Sequence, residues 1–483
     1  MNIFKNIFSK NKKTKNININ PDNKIFTKIT QEQQIIKYQE PAQNFELTSE
    51  MQSAINALNN PKNKIIWIYG KAGTGKSTFL NYFKNTIKPK NTVYLAPTGM
   101  SALLITGQTI HSFFQIKPNS LYYQNKSSYN YNRSLLNKLS NLDLIVIYEI
   151  SMVRADLLDE IDYELRIATE NDIPFGGIKM LFLGDPYQLP PVVDNNIQQY
   201  LTTKYKSEYF FSSNVIRNNF DLITHIEFTK VFRQNDQNFL NILSSLRLAE
   251  NITIDTLESI NSRIVCNEKI PKNIIRITGT KKQAENYNLE EYTKINSQEK
   301  IFSYTGKGNV PQEKDLPCPK QIKLKLGTQI LLIANDQGKS YVNGTIATIT
   351  DFKSDYIIAK KDNGIEIFIK QHTWEGIKYD FIDGEIIEKI DYTYTQYPIL
   401  YGWAMTIHKA QGRTFEKVYI DLSGGTFSEG QAYVAISRVK SLEGLYLKTK
   451  LHTWDFFVNK IIKKYFEYCK QKKIITNSDN SSN

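Results

Sequence analysis

Ile65-Ile66-Trp67-Ile68-Tyr69-Gly70-Lys71-Ala72-Gly73-Thr74-Gly75-Lys76-Ser77-Thr78 decides the fold. An apolar run of strand length enters a glycine-rich turn, and Phe79, Leu80, Phe83 and Ile87 continue at helical spacing. Gly70 and Gly75 bracket the turn at the G-x-x-x-x-G-K-S spacing of a phosphate-binding loop. Glycines let consecutive backbone N–H groups converge on phosphate oxygens, and the following helix N-terminus adds its positive dipole end. In this reading Ala72, Gly73, Thr74 and Thr78 complete the cradle. The Lys76 ammonium reaches the outer phosphates and the Ser77 hydroxyl meets Mg²⁺. A chance glycine turn would lack the strand before and the helix after. The stretch predicts a nucleoside triphosphate site.

Upstream, Thr48 or Ser49 caps a helix running through Ile55 and Leu58. Gln52 on that helix carries a paired donor and acceptor that suit an adenine edge. Downstream, Val93-Tyr94-Leu95-Ala96 reads as a second parallel strand. It runs into Pro97-Thr98-Gly99 and then Thr109-Ile110-His111-Ser112-Phe113. Small hydroxylated residues and glycine at a strand's carboxyl end suit close approach to a phosphate. Thr98, Gly99, His111 and Phe113 are therefore candidate contacts to a nucleic-acid strand, although a lone histidine is more often structural. Leu144-Ile145-Val146-Ile147, before Tyr148-Glu149-Ile150-Ser151, is a further buried strand. So is Met180-Leu181-Phe182-Leu183, before Gly184-Asp185-Pro186-Tyr187-Gln188. Strands alternating with helices imply a parallel sheet with the nucleotide at its carboxyl edge.

At 483 residues the chain exceeds one ordinary core, so about two to four domains are expected. Its composition reads as soluble and globular. No apolar stretch approaches the ~20 residues of a membrane span, and no membrane partner is expected. A net charge of +13 points to a polyanionic partner, most simply nucleic acid, though lysine and asparagine enrichment also follows from an AT-rich genome. Cys266, Cys318 and Cys469 lack C-x-x-C spacing, which argues against zinc and against a disulfide framework.

Residues 1–44 read as a basic disordered leader. Ile3, Phe4, Ile7 and Phe8 fall on one helical face, which suits a helix docking a protein partner or a targeting peptide. The absence of arginine and of a signal-peptide core favours a frayed basic tail. Residues 115–140 read as a surface insertion carrying Tyr122, Tyr123, Tyr129 and Tyr131, either stacking nucleobases or tethering the loop. Short alternating runs at 329–334, 344–350, 355–360 and 364–369, separated by Gly, Asn and Asp, predict a small antiparallel β-barrel over 326–395. Phe456, Phe457, Ile461, Ile462, Tyr465 and Phe466 form an apolar stripe at helical spacing opposite a Lys-rich face. The stripe is expected to pack against the second domain, with a DNA-side helix as the alternative. Residues from about 476 read as a polar tail.

Residues 70–78, 96–99, 149–152 and 184–192 resemble, in order, the ATPase motifs of superfamily 1 helicases of the petite-integration-frequency (PIF) and RecD-like group. Residues 150–192, with Arg166 and Pro174-Phe175-Gly176-Gly177, resemble the stretch peculiar to PIF helicases. The match continues through 228–234, 278–288, 401–414 and 430–438, so it spans about residues 45–450. It implies an α/β fold of two tandem RecA-like P-loop domains with parallel sheets, plus a small β-barrel insert like the Src-homology-three fold. The first domain is expected over 45–213, the second over 214–325 and 396–450, and a C-terminal helix and tail over 451–483.

The resemblance also implies roles. Lys76 cradles phosphates, Glu149 positions the attacking water, Gln188 senses the terminal phosphate, and Arg233 and Arg438 neutralise charge on the transferred phosphoryl group. Gly412 joins the nucleotide site, Ser77 and Glu149 hold the metal, and Thr406, His408 and Lys409 touch the DNA backbone. ATP and Mg²⁺ are the implied cofactors, and single-stranded and forked DNA the implied partners, with 5′ to 3′ movement by a monomer. A cytoplasmic place is expected for a bacterial or viral source, and nucleus or mitochondrion for a eukaryotic one. Tyr148 departs from the family, which has aspartate there to hold Mg²⁺. A phenol with a reference pKa near ~10 is neutral at pH 7, so weakened hydrolysis is expected. Two alternatives stay open: an ATP-gated single-strand-binding protein with little unwinding, and a P-loop enzyme that acts on nucleic acid without unwinding it.

Overall fold

The computed structural model describes residues 46–117, 132–234, 236–266, 270–336, 338–426 and 428–472. The leader, the four tyrosines of the 115–140 insertion and the tail from 473 lie outside the described residues.

The opening stretch forms β1 (Ile65–Gly70), all six residues buried. It is joined by β2 (Thr92–Ala96), β3 (Gln108–Thr109), β4 (Leu144–Tyr148), β5 (Lys179–Leu183) and β6 (Ile223–Phe228) in the order β3-β2-β4-β5-β1-β6. Every pairing is parallel. A parallel sheet needs cover on both faces, which is why its strands read as unbroken apolar runs. Alternation along β1 sends Ile66 and Ile68 to one side, where they meet Met51, Phe79, Leu80 and Phe83. Trp67 and Tyr69 face the other side. β6 belongs to this sheet, so the first unit runs past the expected boundary at residue 213. Order along the chain assigns the strand to the second unit, whereas its hydrogen bonds to β1 assign it to the first.

A second parallel sheet has the order Ala404–Thr406, Ile275–Thr278, Val418–Asp421, Leu445–Leu447. The four predicted alternating runs form strands Gln329–Leu332, Ile346–Phe352, Ile357–Lys360 and Glu366–Ile369, and Ile399–Tyr401 completes an antiparallel sheet. Its edges are Glu366–Ile369 and Ile399–Tyr401, so among the described residues it is a sheet rather than a barrel closed by hydrogen bonds.

Two elements depart from the sequence reading. His372–Ile382 and Glu385–Gln396 form a long hairpin about Asp383-Gly384, both with positive φ (51° and 87°), as a tight two-residue turn requires. The hairpin extends to the first sheet. The backbone N–H of Tyr94 donates to the Tyr379 hydroxyl at 3.0 Å, and Lys84 pairs with Glu388 at 2.7 Å, both side chains largely buried. The second departure is the C-terminal helix Lys460–Gln471. It packs on the first unit rather than the second, with Tyr465 and Phe466 5.6 and 5.7 Å, ring to ring, from Trp67. Phe456, at the head of the predicted stripe, does lie in the second core. Helical periodicity defines an apolar face but carries no information about which sheet covers it.

Candidate functional site

The turn after β1 leads into the helix Lys76–Tyr82, capped by Gly75 in the left-handed region at φ 81°. A side chain at Gly73 would strike Arg233, and one at Gly70 the Phe228 carbonyl at 2.3 Å, so both positions need glycine for close approach. The loop borders a cavity of about 790 Å³ lined by Ala72, Gly73, Thr74, Gly75, Lys76, Ser77 and Thr78. Tyr148, Glu149, Gln188, Arg233, Gly412 and Arg438 line the same cavity. Residues more than 300 positions apart in sequence thus share one pocket. Five cationic side chains (Lys76, Lys230, Arg233, Arg438, Lys440) face it against two carboxylates (Glu46, Glu149), a balance that suits a polyphosphate.

Lys76 Nζ donates to the Gly70 carbonyl at 2.7 Å and the Lys71 carbonyl at 2.9 Å. Burial lowers its pKa to about 8, against the opposing pull of Asp185 and Glu149. Arg438 is 1% exposed. Burial and the neighbouring Arg233 lower its pKa to about 9. Its guanidinium is held by the Val434 carbonyl at 2.8 Å and the Ser437 hydroxyl at 2.7 Å. Arg233 donates to the Ser437 carbonyl at 3.4 Å, so the two arginines are tied to one short segment. Gln188 Nε2 donates to Asp185 at 3.3 Å and its Oε1 accepts from Gln411 at 3.4 Å.

Glu149 follows β4 with left-handed backbone (φ 56°, ψ 48°), a conformation that a non-glycine residue keeps only under constraint. Burial raises its carboxyl pKa, with Lys76 pulling the other way. Tyr148 is buried, and its hydroxyl lies 2.6 Å from Ser77 Oγ. Burial and then Glu149 push the phenol pKa well above its ordinary value, so it is neutral. Magnesium sites commonly use one or two carboxylates with substrate phosphates and retained waters. Glu149 and Ser77 fit such an ion, with one carboxylate in place of two and with the serine hydroxyl shared with Tyr148.

Gln52 does not reach the cavity. It is exposed and donates to Asn56 at 3.1 Å, while its neighbours Met51 and Glu46 line the pocket. Sequence reasoning missed Phe232, half-exposed at the cavity edge beside Gly75, and the Tyr433 hydroxyl, which accepts from the Ala72 N–H at 3.2 Å. Both lie within quoted motifs, yet neither an apolar ring nor a lone phenol announces such a place.

Of the strand-contact candidates, Thr98 caps the helix Gly99–Leu104, and Thr406 caps Ile407–Ala410 in the same manner in the second unit. Each sits at the carboxyl end of a parallel strand. His408 and Lys409 are exposed. Gly99 approaches the Asp315 carbonyl so closely that a side chain would meet it at 2.7 Å. His111 is half-buried, and burial and then Arg154 lower its pKa. Phe113 is fully buried against Phe114 and Tyr379, so it is a core residue and not a strand contact. The three cysteines are free. Among the described residues no helix is long and apolar enough to cross a membrane.

A model of PIF1-like helicases matches residues 44–253. The chain is 29% identical over 415 residues to ATP-dependent DNA helicase Pif1 of Bdellovibrio bacteriovorus, covering 84% of this chain and 89% of that protein. It is 29% identical over 415 residues to Homo sapiens ATP-dependent DNA helicase PIF1, of whose length it spans 61%. Among solved structures, Bacteroides sp Pif1 in complex with ADP-AlF4 superposes with a TM-score of 0.82 at 31% identity, covering 89% of this chain and 99% of that one. Bacteroides Pif1 bound to ssDNA, also 31% identical and covering 89% and 98%, superposes at 0.63.

Proposed function

The chain belongs to the PIF1-like helicases, and on that premise we propose that it hydrolyses ATP to move along single-stranded DNA, 5′ to 3′, and to separate forked duplex during replication, repair or recombination. The observation that carries this reading is the placement of Arg233 and Arg438 on the same cavity as the phosphate-binding loop. Arg438 follows the helix Gln431–Ile436 of the second unit, so phosphate charge at Lys76 attracts both units at once. Closing on the triphosphate and loosening after hydrolysis turns chemistry into motion.

Lys76 holds the outer phosphates, Glu149 orients and deprotonates the attacking water, and Gln188 reads the terminal phosphate. Phe232 at the cavity edge supplies an aromatic face for the base. Magnesium, when bound, neutralises charge on the phosphate oxygens. Thr98, Gly99, His111, Thr406, His408 and Lys409 supply strand contacts along the carboxyl ends of the two sheets.

One observation favours a second reading. Tyr148 places a neutral phenol on Ser77 where relatives of this family place a carboxylate, so hydrolysis is weak and the chain acts chiefly as an ATP-gated single-strand-binding protein. A forked-duplex assay decides between them. Strand displacement that requires ATP and disappears in Lys76→Ala supports the helicase reading. Single-strand binding that responds to ATP without displacement supports the second.

A further inference from the structure

The segment after Phe456 crosses from one unit to the other. Phe456 lies in the core of the second unit, the Phe457 carbonyl accepts from the Gly430 N–H at 3.4 Å, and Asn459 donates to Glu429 at 3.3 Å. The helix Lys460–Gln471 then lies on the first sheet, where Tyr465 donates to or accepts from His225 at 2.8 Å.

On that helix Phe466 stacks on Tyr187 with ring centres 5.7 Å apart and planes 17° from parallel. Tyr187 immediately precedes Gln188. The Arg247 guanidinium sits 4.4 Å from the Tyr187 ring centre and makes a two-pronged pair with Asp185 at 2.8 and 3.1 Å. The second unit also touches this loop directly: Gly430 approaches so closely that a side chain would meet the Tyr187 and Gln188 carbonyls at 2.6 Å. The loop carrying Gln188 is therefore fixed through Tyr187 by a ring on one side chain and a guanidinium on another.

We propose that Phe466 is a positioning residue for terminal-phosphate recognition: its ring holds Tyr187, and through it Gln188, where the third phosphate is read. This rests on the reading of the cavity as an ATP site. Without the ring, Tyr187 gains rotamer freedom and the Gln188 amide loses its fixed direction. On that reading Gln188 meets only the third phosphate, so binding of the diphosphate should be independent of the stack.

Equilibrium binding of ADP and of a non-hydrolysable ATP analogue to the full chain tests the proposal without depending on turnover. Phe466→Ala should weaken the triphosphate analogue about tenfold, the scale of one hydrogen bond to a charged group, and leave ADP unchanged. Phe466→Tyr, which keeps the stack, should restore the preference. Equal loss for both nucleotides, or loss of thermal stability with the preference intact, overturns the proposal and makes Phe466 packing only. A parent chain that binds neither nucleotide contradicts the ATP-site reading itself, a result distinct from either.

Discussion

The Tyr148 hydroxyl and the Ser77 hydroxyl stand 2.6 Å apart at the end of β4, in direct hydrogen-bonding contact. A phosphate-binding loop normally has its serine free to meet a metal, with a carboxylate nearby. Here the serine has a neutral aromatic partner, and Glu149 is the carboxylate beside it. The pair is where the site departs from that arrangement, while the rest of the cavity keeps its cationic lining.

Arg438 lines the same cavity as Lys76, and its proposed role there is to neutralise transition-state charge. Arg438→Ala should leave ATP affinity near that of the parent and lower kcat by a factor on the order of 10³. Arg438→Lys, which keeps a charge but loses the fork, should recover only part of it. Equal losses in binding and turnover would assign Arg438 a structural role.

If Lys76 holds the phosphates, nucleotide affinity should depend on pH through its ammonium, whose pKa burial lowers to about 8. Below that pH the ammonium is charged before and after binding, so affinity for ADP is flat. Above it the free protein has lost the proton and binding must take one up, so affinity falls by up to about tenfold per pH unit. Titration of ADP affinity from pH 7 to 9.5 checks this, and Lys76→Arg should flatten the curve.

Lys84 and Glu388 join the first unit to the long hairpin with side chains 7% and 17% exposed. Burial lowers the Lys84 pKa while Glu388 opposes that effect. Glu388→Gln leaves the ammonium with a weaker partner and should cost on the order of 2 kcal/mol in urea denaturation. Lys84→Met combined with Glu388→Leu should recover most of it. A change within about 0.5 kcal/mol for Glu388→Gln would show the pair to be solvated.

Single-strand affinity should fall with salt, with a slope of about −0.7 per phosphate contact. Lys409→Ala should reduce that slope by about one contact. His408→Ala, removing a side chain largely neutral at pH 7, should weaken binding with less change in slope. Parent-like binding by both at every salt concentration would place the strand elsewhere.

Much of the fold and the site is legible in the sequence because local pattern and chemistry coincide. Buried parallel strands are unbroken apolar runs, and a phosphate loop must carry glycines and lysine at fixed spacing. Legibility ends where a residue's meaning depends on a distant partner. Phe113 reads as a contact to a nucleic-acid strand but is covered by Tyr379, 266 positions later. Ile223–Phe228 pairs with β1, and the C-terminal helix covers Trp67, contacts that no local window contains. The hairpin at 372–396 differs in kind, since Asp383-Gly384 between alternating runs is a local turn signal and only its reach to the first sheet is not.

We propose that Tyr148 limits metal binding at a cavity that otherwise keeps its phosphate loop and cationic lining. ATP turnover measured across a Mg²⁺ titration, in the parent and in Tyr148→Asp with single-stranded DNA present, tests it most directly. The expected result is that Tyr148→Asp raises kcat and lowers the Mg²⁺ concentration needed for half-maximal rate, both together. A parent chain that already turns over ATP as fast as Tyr148→Asp at low Mg²⁺ would contradict it.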